Sequence, residues 1–183
     1  MTRIKPKLSF DPTQEASKML DNNNEEDLMD FTILSEEGTR FPCHRVFLAS
    51  QSPPLKAMMI RDTKEKQEGQ VQLPFKEDVV KGFVGSFYSR KIPQEILEEN
   101  LEKFLSLADS YDVASLKLQV EEVAVQLLTT ENMVDMFYLG QSNTEQLKEA
   151  SKFLISRNKE VLKGQDLSRF PASFIMDVLK LLC

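Results

Sequence analysis

The chain has 183 residues, 41% hydrophobic and 28% charged, with a formal net charge of −6 at pH 7. That length and composition suit one large domain, or one domain with a helical extension, beneath a water-facing surface. The acidic balance and scattered Lys and Arg disfavour nucleic acid, because phosphate binding needs clustered cations; six Gly and no Trp argue against a many-turned β architecture.

In chain order, residues 1–12 read as a flexible arm, with Pro6 and Pro12 breaking any regular element. A short amphipathic helix is expected from about Thr13 to Asn22, with Ala16, Met19 and Leu20 on one stripe. After the polar break DNNNEED, the stretch DFTILSEEGTRFPC reads as a hairpin. Phe31, Ile33 and Leu34 supply strand character, and Glu36-Glu37-Gly38 supplies the turn. His44 to Gln51 is expected as a short helix. Ser52 and Pro53 open a second one, to about Ile60, since serine accepts an orphan backbone N–H and proline fits the first helical position. RDTKEKQEGQ reads as a charged loop before a strand at Val71 to Leu73. A helix from Lys76 to Tyr88 then carries Val79, Val80, Phe83, Val84 and Phe87 at helical spacing.

From Pro93 onward the pattern is helical only. Ile96, Leu97, Leu101, Phe104, Leu105 and Ala108 form one stripe; Val113, Leu116, Val120, Val123, Ala124 and Leu127 form the next. Met133 to Leu139, Leu147 to Ser156 and Phe174 to Leu182 give three more. Ser142 with Glu145 reads as a capping box, and Gly140 and Gly164 sit where helices should end. The chain divides softly near Thr129, a mixed part followed by a smaller helical one.

Candidate chemistry is sparse. The two cysteines, Cys43 and Cys183, are far apart and lack CxxC spacing, so neither a disulfide framework nor a zinc site is indicated. Free thiols in a reducing compartment are the expectation. The one histidine, His44, lies beside Cys43, but a nucleophile and its base must face each other, and neighbours at a strand-to-helix junction diverge. His44 is read as structural, and a single His cannot supply the about four ligands zinc takes. EILEENLEKF is a solvated helix face with its charges offset by Lys103. Met58 and Met59 suit core packing plus a surface anchor. No glycine-rich phosphate loop occurs. No segment approaches the roughly 18 apolar residues that span a bilayer, and MTRIKPKLSFDPTQ lacks the apolar core of a secretory signal. A cytoplasmic or nuclear protein with no catalytic residue, metal or cofactor is expected.

Taken together in order, DFTILSEEGTRFPCHRVFLASQSPPLKAMM, FYSRKI and LADSYDVASLK resemble the BTB/POZ domain. Asp30 matches the aspartate before its first strand. Phe41 and His44 match its aromatic and histidine, Arg45 its basic residue, and Leu48, Ala49 and Ser52 its Leu-Ala-x-x-Ser stretch. FYSRK at 87–91 is similar to its aromatic corner, with serine and arginine replacing the usual threonine and glycine. LADSYDVASLK, residues 107–117, looks most like the subgroup typified by the speckle-type POZ protein. The resemblance implies an α+β fold, a small sheet flanked by helices over residues 13–128, then an all-helical BACK-like (three-box) extension over 129–183.

It also implies a function. Family members commonly form homodimers, which places Met19, Leu20, Leu28, Asp30 and Arg45 at a dimer interface. Members of this subgroup act as substrate adaptors of cullin 3 ubiquitin ligases. Their cullin contact has a hydrophobic residue, any residue, then glutamate, and here Thr63, Lys64 and Glu65 fall on that pattern. Thr63 puts a hydroxyl where the pattern has an apolar anchor, and that hydroxyl needs a hydrogen-bond partner. Met59 or Ile60 can supply apolar contact instead, and Ser110 with Tyr111 occupies the other cullin-facing region, where a buried tyrosine would anchor. The expected partners are a second copy, the cullin 3 N-terminal domain and an unknown protein substrate, with no nucleic acid and no membrane. The alternative is a self-associating scaffold or transcriptional co-regulator that never meets a cullin. No MATH-like block precedes these motifs and no kelch-like repeats follow, so any substrate-recognition module is expected outside this sequence.

Overall fold

The computed structural model describes residues 29–88, 90–141, 144–162 and 164–181. The chain divides into two compact units, residues 1–92 and 93–183. The arm and the helix expected at Thr13 to Asn22 lie outside the described residues, as do Met19, Leu20, Leu28 and Cys183.

In the first unit, β1 (Phe31–Leu34) pairs antiparallel with β2 (Arg40–Cys43), Phe31 opposite Cys43 and Leu34 opposite Arg40. The turn between them needs Gly38, whose φ of +86° lies in the left-handed region. Ser35 locks it by accepting the Thr39 N–H on its hydroxyl at 3.1 Å. Along β1, Phe31 and Ile33 are buried while Thr32 and Leu34 are half-buried, the alternation of a strand with one core face. β3 (Gln70–Gln72) pairs parallel with β1 on its other side, giving the order β2-β1-β3. A parallel neighbour requires a crossover, and three helices provide it: α1 (Arg45–Gln51), α2 (Pro53–Ile60) and α3 (Lys64–Glu68).

The start of α2 is where expected. The buried Ser52 hydroxyl accepts the Leu55 N–H at 3.2 Å, with Pro53 in the first turn. RDTKEKQEGQ, expected as a loop, instead contains α3. Thr63 caps it by accepting the Lys66 N–H, and Gly69, at φ +65°, ends it in the left-handed conformation. The following strand begins one residue before the expected Val71. Helix α4 (Glu77–Ser86) is shorter at both ends than Lys76 to Tyr88. Its Val80 and Phe83, like Ile33, Leu48 and Leu55, are fully excluded from water. Burying one such side chain contributes about 1.5–3 kcal/mol.

The second unit is helical throughout its described residues: α5 (Gln94–Glu99), α6 (Leu101–Ser110), α7 (Ala114–Gln126), α8 (Met133–Leu139), α9 (Glu145–Arg157), α10 (Lys159–Leu162) and α11 (Ala172–Lys180). The single stripe from Ile96 to Ala108 is cut into two helices at Asn100, whose side-chain amide donates to the Ile96 carbonyl at 3.0 Å. Of α10 only the end was expected, at Gly164, two residues beyond Leu162. α8 and α9 pack together, and Met133, Val134, Phe137, Ile155, Leu162, Phe174 and Val178 form one buried cluster.

Two capping expectations change. The N-cap position of α9 is held by Thr144, whose side chain makes no cap bond, and Ser142 lies outside the described residues. The orphan N–H groups go instead to Glu121 of α7. This buried carboxylate accepts from Gln146 at 2.7 Å and Leu147 at 3.2 Å. Gly140 does end α8, but with φ −64°, not a left-handed cap. Its missing side chain makes room for α9: a Cβ there would lie 3.0 Å from the Lys148 main chain.

Candidate protein-docking site

The strand-to-helix junction around His44 is held by side chains from elsewhere in its unit. His44 occupies the N-cap of α1 in extended conformation, yet its side chain makes no cap bond. Asp30 fills that role across the sheet edge, its Oδ1 accepting the Arg45 N–H at 2.8 Å. Arg45 Nε donates to the Asp30 carbonyl at 3.0 Å and lies 3.8 Å from its Oδ2, while the guanidinium sits 5.4 Å from the Phe31 ring centre. Asp30 and Arg45 therefore meet directly within one chain. Their side chains are 58% and 31% exposed, so the pair adds little net energy and mainly fixes direction.

His44 itself turns toward Tyr88. The Tyr88 hydroxyl accepts the His44 main-chain N–H at 2.8 Å and lies 2.8 Å from its Nδ1. With that hydroxyl already accepting, donation of its own proton to Nδ1 satisfies both groups and leaves the ring proton on Nε2. Phe47 stacks on Tyr88 at 4.8 Å. Cys43 faces the other way, its buried Sγ donating to the Phe31 carbonyl at 3.5 Å. Burial, helped by the Asp30 charge, pushes its thiol up to about 12. The thiol and imidazole thus hold separate partners.

Downstream, the end of α2 sorts the predicted contact residues by one helical step. Met59 points into the core at 6% exposure, so it is not a surface anchor; Ile60 next to it is 62% exposed. Successive helical residues are turned by about 100°, and Leu55 with Met59 forms the buried i, i+4 edge. The Thr63 hydroxyl donates to the Met58 carbonyl at 2.8 Å and accepts from Lys66 N at 3.2 Å. Its hydrogen-bonding needs are met inside its own loop, and a docking partner need supply none. Glu65, half-buried, lies in the first turn of α3, where negative charge is favoured. Ile60, Thr63 and Glu65 therefore stand on one short segment of the first unit.

Ser110 and Tyr111 belong to the second unit. Ser110 is exposed at the end of α6, and Tyr111 is half-buried at its C-cap, not a fully buried anchor. Ser110 lines an open groove of about 800 Å³ between α5, α6 and α8. That groove was invisible to sequence reading because its walls come from three helices whose packing only the fold reveals. No group of three or more His, Cys, Asp or Glu is placed to hold a metal ion among the described residues. No described helix is long and apolar enough to cross a membrane.

The BTB/POZ domain model of this protein family matches residues 19–128. The chain belongs to the BTB/POZ domain family. Among its BTB/POZ relatives, Kelch-like protein 23 of Mus musculus is 32% identical over 140 residues, covering 75% of this chain and 25% of its own. Kelch-like protein 40 of Xenopus laevis is 32% identical over 126 residues, 67% of this chain and 19% of its own. BTB and MATH domain-containing protein 42 of Caenorhabditis elegans is 27% identical over 146 residues, 78% of this chain and 36% of its own. The chain spans about a quarter of the length of Kelch-like protein 23.

Proposed function

We propose that this BTB/POZ chain is a dimeric protein–protein adaptor that joins a cullin 3 ubiquitin ligase scaffold to a protein substrate, with no catalysis of its own. The observation that carries this reading is the exposed Ile60 on one segment with the half-buried Thr63 and Glu65, the Thr63 hydroxyl being already satisfied. Ile60 takes the part of the apolar anchor that Thr63 cannot fill, and covering it on docking would contribute about 1–2 kcal/mol. Glu65 supplies the charged end of the contact. The adaptor works by proximity, since two cullin arms on one dimer raise the effective concentration of ubiquitin-charged enzyme near a captured target.

In the same reading residues 13–128 form the BTB/POZ domain and 129–183 a BACK-like extension with speckle-type kinship. Met19, Leu20 and Leu28 join Asp30 and Arg45 at the dimer interface, and the protein works in the cytoplasm or nucleus. The threonine at position 63 favours a second reading, a self-associating scaffold or transcriptional co-regulator that uses the BTB surface without a cullin. Calorimetry with the cullin 3 N-terminal domain separates the two. Binding with Kd of about 1–10 µM supports the first, and no heat at that concentration supports the second.

A further inference from the structure

Ile60 stands in charged surroundings. Residues 56–66 hold four cations, Lys56, Arg61, Lys64 and Lys66, against two carboxylates, Asp62 and Glu65. The whole chain carries a formal net charge of −6, so this stretch has the opposite sign. All four cations are exposed. Lys64 lies 3.6 Å from Glu68, and Asp62 accepts from the Gln67 side chain at 3.2 Å. Lys56, Arg61 and Lys66 pair with no carboxylate among the described residues.

The fold sets these charges around an apolar tip. Lys56 precedes Ile60 by four residues on α2, which puts both on one helix face. Arg61 follows at once, as the C-cap of α2. The bond from the Thr63 hydroxyl to the Met58 carbonyl ties the start of α3, which carries Lys66, to the end of α2. An apolar side chain 62% exposed to water is thus bordered by three cations that the described fold leaves uncompensated.

We infer that the partner seated on Ile60 presents an apolar pocket with an acidic border, and that Lys56, Arg61 and Lys66 steer it onto this edge. Exposed charges at a rim contribute little to the energy of a finished complex, but they set the rate of encounter. At about 0.1 M salt the Debye length is about 10 Å, so neighbouring cations act together on an approaching carboxylate. The acidic balance of the chain as a whole opposes an acidic partner elsewhere, which favours this edge over other landing places. The inference rests on the adaptor function proposed above, in which the partner is the cullin 3 N-terminal domain.

Stopped-flow mixing of the full-length protein with that domain gives the association rate. At about 0.1 M salt, Lys56→Glu combined with Arg61→Glu should associate at least about fivefold more slowly than the parent. Lys81→Glu combined with Lys180→Glu, exposed positions on α4 and α11, changes net charge by the same amount and should keep the parent rate within about twofold. At about 1 M salt, where the Debye length falls to about 3 Å, all three rates should converge. Equal rates for the parent and the Lys56/Arg61 variant, equal slowing in the control, or slowing that persists at about 1 M salt overturns the inference. In each of those cases the domain still binds, so the adaptor reading stands. No binding by the parent overturns both. If circular dichroism shows that charge reversal disturbs the fold, Lys56→Gln with Arg61→Gln replaces it, with slowing of at least about twofold expected and no slowing overturning the inference.

Discussion

The Tyr88 hydroxyl bonds both the main-chain N–H and the ring Nδ1 of His44, each at 2.8 Å. One phenol at the end of α4 thereby ties down the junction between β2 and α1, forty-four positions earlier. Tyr88 is fully excluded from water, so its bonds are not readily replaced by solvent.

Tyr88→Phe keeps the ring packed on Phe47 and removes only the oxygen. The His44 N–H and Nδ1 both lose their partner, and the expected loss is about 1–3 kcal/mol of stability. Urea denaturation measures it; an unchanged midpoint contradicts the assigned role.

Alkaline pH gives a second test. Burial pushes Tyr88 from an ordinary value of 10.0 up to about 12, and Cys43 from 9.0 up to about 12. The unfolded chain therefore loses these protons at lower pH than the native one. Stability from these two groups is fully present below pH 9 and falls as pH rises toward 12. Combining Cys43→Ala with Tyr88→Phe should flatten that fall in denaturation curves taken across the range. An equally steep fall in the double variant would count against it.

Much of this architecture is written in local chemistry. Gly38 marks the hairpin turn, Ser52 with Pro53 marks the start of α2, and the apolar stripes mark most later helices. Leu55 and Met59, four apart, share the buried edge of α2, so of the two contact residues expected there only Ile60 faces outward. Other features depend on distant neighbours. α3 has no apolar stripe in KEKQE, and only Thr63 before it and Gly69 after it hint at a helix. Glu121 reaches α9 from 25 residues away, and nothing local marks it as a cap.

Glu121→Ala should leave the Gln146 and Leu147 N–H groups without their acceptor at a helix start where Thr144 and Leu147 are buried, costing about 1–3 kcal/mol. Glu121→Gln retains a carbonyl acceptor and should lose less. Equal losses in the two variants would argue that side-chain packing, not capping, is what Glu121 provides.

Gly140→Ala should drive its new methyl against the Lys148 backbone at 3.0 Å. Separating α8 from α9 should cost about 1–3 kcal/mol, read as a lower thermal midpoint. Because φ is −64° there, the left-handed strain of a glycine cap plays no part. A stable alanine variant would contradict the close-approach role.

At the docking edge, Thr63→Ser keeps the hydroxyl bonds that cap α3 and removes one methyl, whereas Thr63→Ala removes both. The serine variant should retain native stability, and the alanine variant should lose about 1 kcal/mol locally. Amide exchange along α3 distinguishes them; identical protection would refute the capping role.

The central claim is that Ile60 and its loop dock a cullin. Its most direct test is calorimetric titration of the cullin 3 N-terminal domain into the parent protein and into Ile60→Asp, whose side chain is exposed in the free chain and so leaves the fold intact. The parent should bind with Kd of about 1–10 µM and the variant at least about tenfold more weakly, a difference of about 1.4 kcal/mol or more. Equal binding by both proteins, or binding by neither, contradicts the account.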